Sequence, residues 1–109
     1  MKMNIIFKFD NFELGALNFN GEEFIYNSNV KEEKQAFDDT FGTLTYHLYN
    51  SKDRKSKDLF EDFEYFLLNS ARSDIQKACN ILESDDKWTK LCKLAKHGLS
   101  WGNYSIEIK

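Results

Sequence analysis

The fold is decided near the start of the chain, in residues 4–26, which read NIIFKFDNFELGALNFNGEEFIY. Ile5, Phe7 and Phe9 occupy alternate positions, which is the period-two pattern of a β-strand with one buried face. The Asp-Asn pair at residues 10–11 can form a two-residue turn. The chain therefore opens with a strand that turns back on itself.

A second and a third strand follow in the same stretch. Residues 12–19 resume the extended pattern, with Gly15 at a position suited to a β-bulge or a close approach. Asn20-Gly21 predicts a type I′ turn, because both central residues of that turn need positive φ. Residues 22–26 then fold back as a strand, and the three strands form an antiparallel meander.

The middle of the chain is less regular. Residues 28–39 are polar and fit either a loop or a short helix that Val30 and Phe37 anchor. Residues 43–48 alternate again and predict a fourth strand, and residues 50–57 predict a charged linker. One face of the fourth strand would carry Leu44, Tyr46 and Leu48.

Three helices are predicted in the second half of the chain. Ser56 can cap the first helix, and residues 73–76 have the Ser-x-x-Gln form of a capping box that opens the second. Asp85 or Asp86 can cap the third, which Gly98 would end. The apolar face of the first helix would contain Leu59, Phe60, Phe63, Phe66 and Leu67.

A final strand is predicted over residues 103–109, with Tyr104, Ile106 and Ile108 on one face. Strands followed by helices and a closing strand predict the α+β class, in which an antiparallel β-sheet or meander has about three helices packed on one side. A length of 109 residues suits a single domain, residues 1–109, with one core and no disulfide or metal to hold it.

Composition and charge argue against several classes of function. A formal net charge of −3 is untypical of a protein that binds nucleic acid directly, since such proteins concentrate lysine and arginine. Lys8 and Asp10 interrupt the N-terminal apolar run, so it lacks the core of a signal peptide, and no segment approaches membrane-spanning length. We therefore expect a soluble cytoplasmic protein with Cys79 and Cys92 as free, buried thiols and no membrane partner.

No motif for catalysis, a metal or a cofactor stands out. The two histidines lie far apart, and His97 follows Cys92 by five residues, which places them on different sides of a helix. Five scattered glycines form no phosphate-binding loop. Nearly all residues of the acidic pairs at 22–23, 32–33, 38–39 and 85–86 are interpreted as solvated turn residues. We expect no catalytic residue, no metal and no cofactor.

Two basic surfaces and one tryptophan are the candidates for binding a partner. Lysines at 87, 90, 93 and 96 form a stripe along the third helix, for which an ordinary solvated face is the favoured interpretation over a phosphate or acidic partner. Trp101 lies before the last strand, where it can be partly exposed, whereas Trp88 suits a buried role equally well. The candidate partner-binding residues are Tyr49, Lys52, Arg54 and Trp101, with Lys55 beside them.

Several short matches resemble the N-terminal domain of HipA-type serine/threonine kinase toxins. Gly15-Ala16-Leu17 resembles the Gly-x-Leu of that family, and Phe24-Ile25-Tyr26 resembles its Phe-x-Tyr. In its helical region the family has Leu-Phe, then Phe, then Leu, then Arg-x-Asp-Ile. This chain resembles that order with Leu59-Phe60, Phe63, Leu67, and Arg72 followed by Asp74-Ile75. The tail, from Leu91 through Gly98 to Asn103-Tyr104, also resembles the end of that domain.

The resemblance implies a free-standing antitoxin like HipS, which neutralises a shortened kinase, HipT, beside a DNA-binding HipB. The expected partners are thus a HipT- or HipA-like kinase and a HipB-like protein. This chain has no proline, which departs from the family pattern near residues 69–72, and it carries none of the motifs of a kinase body. We therefore expect no kinase activity from this chain.

Two alternatives remain open from the sequence. A phage or mobile-element protein that inhibits another host enzyme would share this size, charge and lack of motifs. An enzyme whose catalytic groups are dispersed along the chain would also escape detection by spacing. A deep polar pocket with perturbed carboxylates would favour the enzyme.

Overall fold

A computed structural model describes residues 3–109 and contains an antiparallel sheet with helices on one side. The strands are β1 (Ile5–Phe9), β2 (Phe12–Phe19), β3 (Phe24–Ser28), β4 (Asp53–Ser56), β5 (Ser100–Trp101) and β6 (Tyr104–Ile108). The helices are α1 (Val30–Asp39), α2 (Glu61–Leu68), α3 (Ser73–Cys79) and α4 (Lys87–Lys96), with a 3₁₀ turn at Asn69–Ala71. The sheet order β4-β3-β2-β1-β6-β5 confirms the α+β class, with four helices in this part of the chain instead of about three.

The opening hairpin lies where the sequence predicts it. β1 pairs with β2, and the register shifts between Phe7 and Lys8, so that Leu14 is the extra residue of a bulge beside Gly15. The displaced Leu14 is fully buried, and its carbonyl accepts a 2.8 Å hydrogen bond from the backbone N–H of Asn29. The bulge therefore fixes where the chain enters α1.

The second turn differs from the prediction. Only Gly21 of the Asn20-Gly21 pair has positive φ, at 100°, so the type I′ assignment is wrong. The Asn20 side chain instead accepts hydrogen bonds from the backbone N–H groups of Glu22 (2.9 Å) and Glu23 (2.8 Å). The turn therefore spans residues 20–23, and β3 begins at Phe24, two residues later than predicted.

The predicted fourth strand over residues 43–48 is wrong, and the predicted linker contains the true β4. Leu44 and Leu48 are buried, so the alternation reports burial correctly. The backbone N–H groups of His47 and Leu48 bond to a side-chain carboxylate, that of Asp62, instead of a neighbouring strand. Residues 43–50 form neither a helix nor a strand, and we call them the irregular segment.

The helix ends show which capping predictions are correct. Asp86 caps α4 by accepting from the backbone N–H of Thr89 at 2.7 Å, and Gly98 follows that helix with φ of 64°. Ser56 does not cap α2, because it ends β4 and the helix begins five residues later. The Ser73 capping box is absent as well, because Ser73 already lies inside α3.

The undecided segment before residue 40 is helical. Asn29 caps α1 by accepting from the backbone N–H of Glu32 at 3.2 Å. Val30 is 59% exposed and does not anchor the helix, whereas Ala36 is fully buried and Phe37 packs against the core. The helix is therefore held at its C-terminal half.

The core lies between the sheet and the helices. Phe7 from β1 contacts Phe63 and Phe66 of α2, with ring centroids 5.3 Å and 6.2 Å apart, and Tyr26 from β3 contacts Phe63 at 6.1 Å. Cys79 and Cys92 are free and buried, as predicted, and burial raises the pKa of Cys92 to about 11. Within residues 3–109, no helix has both the length and the apolar character needed to cross a lipid bilayer.

Gly15 is the most constrained glycine in this core. A Cβ at this position would lie 2.8 Å from the Asn27 carbonyl oxygen and would overlap the Tyr26 ring, although the φ of Gly15 is not positive. We predict that Gly15→Ala lowers the free energy of unfolding by about 1 to 3 kcal/mol, measured by urea denaturation, because the strands must separate. An unchanged free energy would contradict this packing.

The Tyr26 hydroxyl supplies a second test of the same contact. It is buried and has no hydrogen-bond partner among residues 3–109. We predict that Tyr26→Phe raises the free energy of unfolding by about 1 kcal/mol, because a desolvated hydroxyl is removed. The double variant should also recover part of the loss caused by Gly15→Ala, and full additivity in urea denaturation would argue against the contact.

Candidate functional site

A pocket of about 480 Å³ opens between residues 45–47, α2 and the β5-β6 hairpin. Six aromatic side chains line it: Phe7, Tyr46, Tyr65, Phe66, Trp101 and Tyr104. Its polar lining includes the side chains of His47, Glu61 and Asp62. We call this cavity the aromatic pocket. Its volume falls within the range of about 300 to 1,000 Å³ typical of ligand sites.

Two large rings form the rim of the aromatic pocket. Trp101 on β5 is 42% exposed and Tyr65 on α2 is 45% exposed, and their ring centroids are 5.9 Å apart. The Tyr65 hydroxyl donates a 3.1 Å hydrogen bond to the Glu61 carboxylate, one helical turn earlier. An exposed indole beside an exposed phenol is the kind of surface that protein partners often cover.

The inner wall of the aromatic pocket is tightly packed. The rings of Phe7 and Tyr104 stack with centroids 5.5 Å apart, and Tyr46 meets Phe7 edge-on at 5.6 Å. The Tyr104 hydroxyl donates a 2.8 Å hydrogen bond to the Thr45 carbonyl, which ties β6 to the irregular segment. The pocket therefore has a preformed wall.

Asp62 is a buried carboxylate in the lining of the aromatic pocket. It is buried, and its carboxylate accepts hydrogen bonds from the backbone N–H groups of His47 (2.9 Å) and Leu48 (2.7 Å). Burial raises the pKa of Asp62, and the two backbone hydrogen bonds oppose that rise. Because each carboxylate oxygen already holds a backbone donor, the geometry favours a structural role for Asp62 over that of a catalytic base.

A second buried carboxylate, that of Glu33, binds the irregular segment at Tyr46 and Asn50. Glu33 on α1 is 5% exposed and accepts hydrogen bonds from the Tyr46 hydroxyl and, at 3.2 Å, from the Asn50 backbone N–H. Burial, followed by the hydrogen bond to Glu33, raises the pKa of Tyr46 far above its usual range. The interpretation of Glu33 as a solvated turn residue is therefore wrong, and no local pattern around residue 33 predicts its burial.

The four predicted partner-binding residues do not form one surface. Trp101 is on the pocket rim, but Tyr49 is only partly exposed and stacks on Phe37 with centroids 5.4 Å apart. Lys52 and Arg54 are exposed at the β4 edge of the sheet, opposite the β5 edge that carries Trp101. Five strand spacings of about 4.8 Å place these edges about 24 Å apart.

The lysine stripe on α4 is used within the chain. Lys87 pairs with Glu64 of α2 at 2.6 Å, and Lys93 pairs with Asp85 at 2.6 Å. The hydrogen bond from Lys93 is the main reason why the pKa of Asp85 is lowered. Trp88, on the same helix, packs against the rings of Phe19 and Phe24. Two of the four lysines are therefore paired within the chain, and Lys93 is largely buried in its contact with Asp85.

Phe41 is a candidate that the sequence interpretation missed. Its side chain is 95% exposed and its φ is 55°, in the left-handed region that favours glycine. Phe41 donates its backbone N–H to Asp38 and Gly42 donates to Phe37, the two hydrogen bonds of a Schellman motif that ends α1. Phe41 and Gly42 both have positive φ, at 55° and 78°, so the left-handed pair that follows α1 includes a residue that is not glycine.

No family model, curated protein or solved structure matches the chain. Among residues 3–109, no three His, Cys, Asp or Glu side chains are grouped as the ligands of a metal ion would be.

The raised pKa of Asp62 predicts a specific pH dependence of stability. The folded chain binds a proton at Asp62 more readily than the unfolded chain, whose carboxyl has a pKa near 3.8. The protonated carboxyl of Asp62 therefore stabilises the fold at low pH, and this contribution is lost as pH rises above 3.8. We predict that the free energy of unfolding of the wild type, relative to Asp62→Asn, falls as pH increases through this window.

Urea denaturation of both proteins at a series of pH values measures this difference directly. Asp58→Asn, at an exposed position before α2, controls for the loss of one acidic charge. A difference between the wild type and Asp62→Asn that stays constant, or that grows with pH, would contradict the raised pKa.

Proposed function

We propose that this protein is a non-catalytic binding protein that neutralises a HipA-type serine/threonine kinase by direct contact in the cytoplasm. The resemblance of residues 15–17, 24–26 and 59–75 to the N-terminal domain of such kinases suggests the class of partner. A HipB-like DNA-binding protein is the expected companion in the same complex. The exposed aromatic surface suggests how the contact is made.

Phe41 is the observation that carries a binding function. A non-glycine residue in the left-handed conformation costs about 1 to 2 kcal/mol, and a side chain that is 95% exposed recovers almost none of this by packing. Its phenyl ring therefore does not serve the stability of the isolated chain. The ring is suited to contact with another molecule, since a protruding aromatic side chain can fill a pocket on a partner.

The position of Phe41 supports its use as an anchor. The ring projects from the end of α1, whose C-terminal half is fixed to the core by Ala36 and Phe37. The segment that follows is bound to the carboxylates of Glu33 and Asp62. A rigid base of this kind lowers the conformational entropy that is lost when the anchor is buried in a complex.

A small domain of this type can neutralise a kinase without chemistry of its own. It can fill the cleft between the kinase lobes, or it can bind one arrangement of the lobes in which the catalytic groups are apart. Both modes require a rigid surface with a few anchoring side chains. Phe41 and the rim residues Trp101 and Tyr65 are the exposed aromatic groups available for this role.

Phe41→Gly separates binding from folding in one variant. We predict that it raises the free energy of unfolding by about 1 kcal/mol, because glycine adopts positive φ without strain. The same variant should weaken binding of the kinase by more than about tenfold, because the anchor is lost. Urea denaturation measures the first effect, and calorimetric titration with a purified HipA-type kinase measures the second.

Val30→Thr is the matched control, because Val30 is an exposed apolar residue at the opposite end of the same helix. It should leave the affinity for the kinase unchanged. Inhibition of kinase autophosphorylation by the wild type, and weaker inhibition by Phe41→Gly, would support the proposal. Absence of any binding to that kinase, or capture of an unrelated enzyme in its place, would overturn it and favour the host-enzyme inhibitor.

A further inference from the structure

We propose that the aromatic pocket is a binding site for a guanidinium group, supplied by an arginine side chain of the partner protein. This inference deepens the proposed function, because it names the chemistry that the Trp101 side of the molecule recognises. The site is distinct from Phe41, which offers an apolar anchor. Aromatic side chains make up most of its lining.

The charge of the aromatic pocket favours a cation. Glu61 and Asp62 are both among its lining residues, and no lysine or arginine of residues 3–109 lines it. Lys87 of α4 is already paired with Glu64 of α2, at 2.6 Å. A cation that enters the pocket meets two carboxylates and one basic side chain, that of His47, whose Nδ1 lies 3.5 Å from Oε2 of Glu61.

Glu61 is the carboxylate best placed to bind the incoming group. Its side chain is 59% exposed, its Oε1 accepts from the Tyr65 hydroxyl at 3.1 Å, and its Oε2 lies 3.5 Å from Nδ1 of His47. These contacts orient the carboxylate beside the pocket opening and leave further lone pairs for an added donor. Asp62 adds a second negative charge to the pocket lining, although each of its oxygens is already bound to a backbone N–H.

The rings of the rim select the shape of the cation. Guanidinium is planar and weakly hydrated, so it stacks on the faces of tryptophan and tyrosine while its edge donates to a carboxylate. Trp101 and Tyr65 present two such faces with centroids 5.9 Å apart and a tilt of 41°, directly beside Glu61. The compact and strongly hydrated ammonium group of lysine exploits this combination less well.

A small-molecule titration tests the site without the partner. The ¹H–¹⁵N spectrum of the protein is recorded with increasing N-acetyl-arginine-amide, and with the citrulline analogue, which is a neutral isostere. We expect the Trp101 indole N–H resonance to shift with the arginine probe and the Trp88 indole resonance to stay in place. The citrulline probe should produce no comparable shift.

Glu61→Gln should weaken binding of the arginine probe by at least about fivefold, because a charge-assisted hydrogen bond becomes a neutral one. Glu22→Gln, at an exposed turn far along the chain from the pocket, is the matched control and should leave the affinity unchanged. Trp101→Leu should also weaken binding, because it keeps an apolar side chain but removes the π face. A urea denaturation curve for each variant shows that the fold is retained.

Equal binding of the arginine and citrulline probes would overturn the inference, as would an unchanged affinity in Glu61→Gln. Absence of a Trp101 shift at saturating probe would overturn it as well. These outcomes do not depend on the kinase, so they are separable from the proposed function. If the arginine probe does not bind but Phe41→Gly still weakens kinase binding, the proposed function is retained and the guanidinium site is rejected.

Discussion

Two buried carboxylates organise the part of the molecule on which the proposed function rests. Glu33 of α1 and Asp62 of α2 accept hydrogen bonds from residues 46–50, and neither is paired with a lysine or arginine within residues 3–109. A buried carboxylate without donors is costly, so each one strongly favours the chain path that brings donors to it. The irregular segment is therefore fixed between two helices even though it has no secondary structure.

The fixed segment has consequences on both of its sides. It places Tyr46 and His47 in the wall of the aromatic pocket, against Phe7 of the central strand. It also sets the start of β4, which follows within a few residues and forms a charged edge of the sheet. Exposed Arg54 and Lys55 on that edge discourage pairing with strands of other molecules. The basic residues that were candidates for partner binding thus have a sufficient role in the sheet itself.

The sequence predicts the local features of this fold better than its long-range ones. The opening hairpin, the Gly15 bulge and the Asp86 cap depend on neighbours within a few residues, and all three are present. Residues 43–48 were assigned wrongly, because alternating burial is common to a strand and to a segment whose backbone donors bond to side chains. Only the distant Asp62, fifteen residues from His47, distinguishes the two cases, and no pattern within residues 43–48 shows it.

In the candidate site, too, the sequence predicts local features better than long-range contacts. The predicted partial exposure of Trp101 is confirmed, since Trp101 lies on β5, an edge strand of the sheet, and is 42% exposed. Tyr65 and Glu61 were not foreseen as its neighbours, since α2 and β5 meet only in the folded chain. The sequence does not point to Phe41, because its significance depends on a positive φ of 55° that only the folded backbone shows.

Amide hydrogen exchange measured by NMR tests most directly whether two carboxylates hold residues 46–50. The amides of His47, Leu48 and Asn50 should be protected more than about tenfold over unstructured rates, although they lie outside any helix or strand. In Asp62→Ala the amides of His47 and Leu48 should lose this protection while that of Asn50, bound to Glu33, keeps it. Unprotected amides in the wild type, or equal loss at all three positions, would contradict this role of the carboxylates.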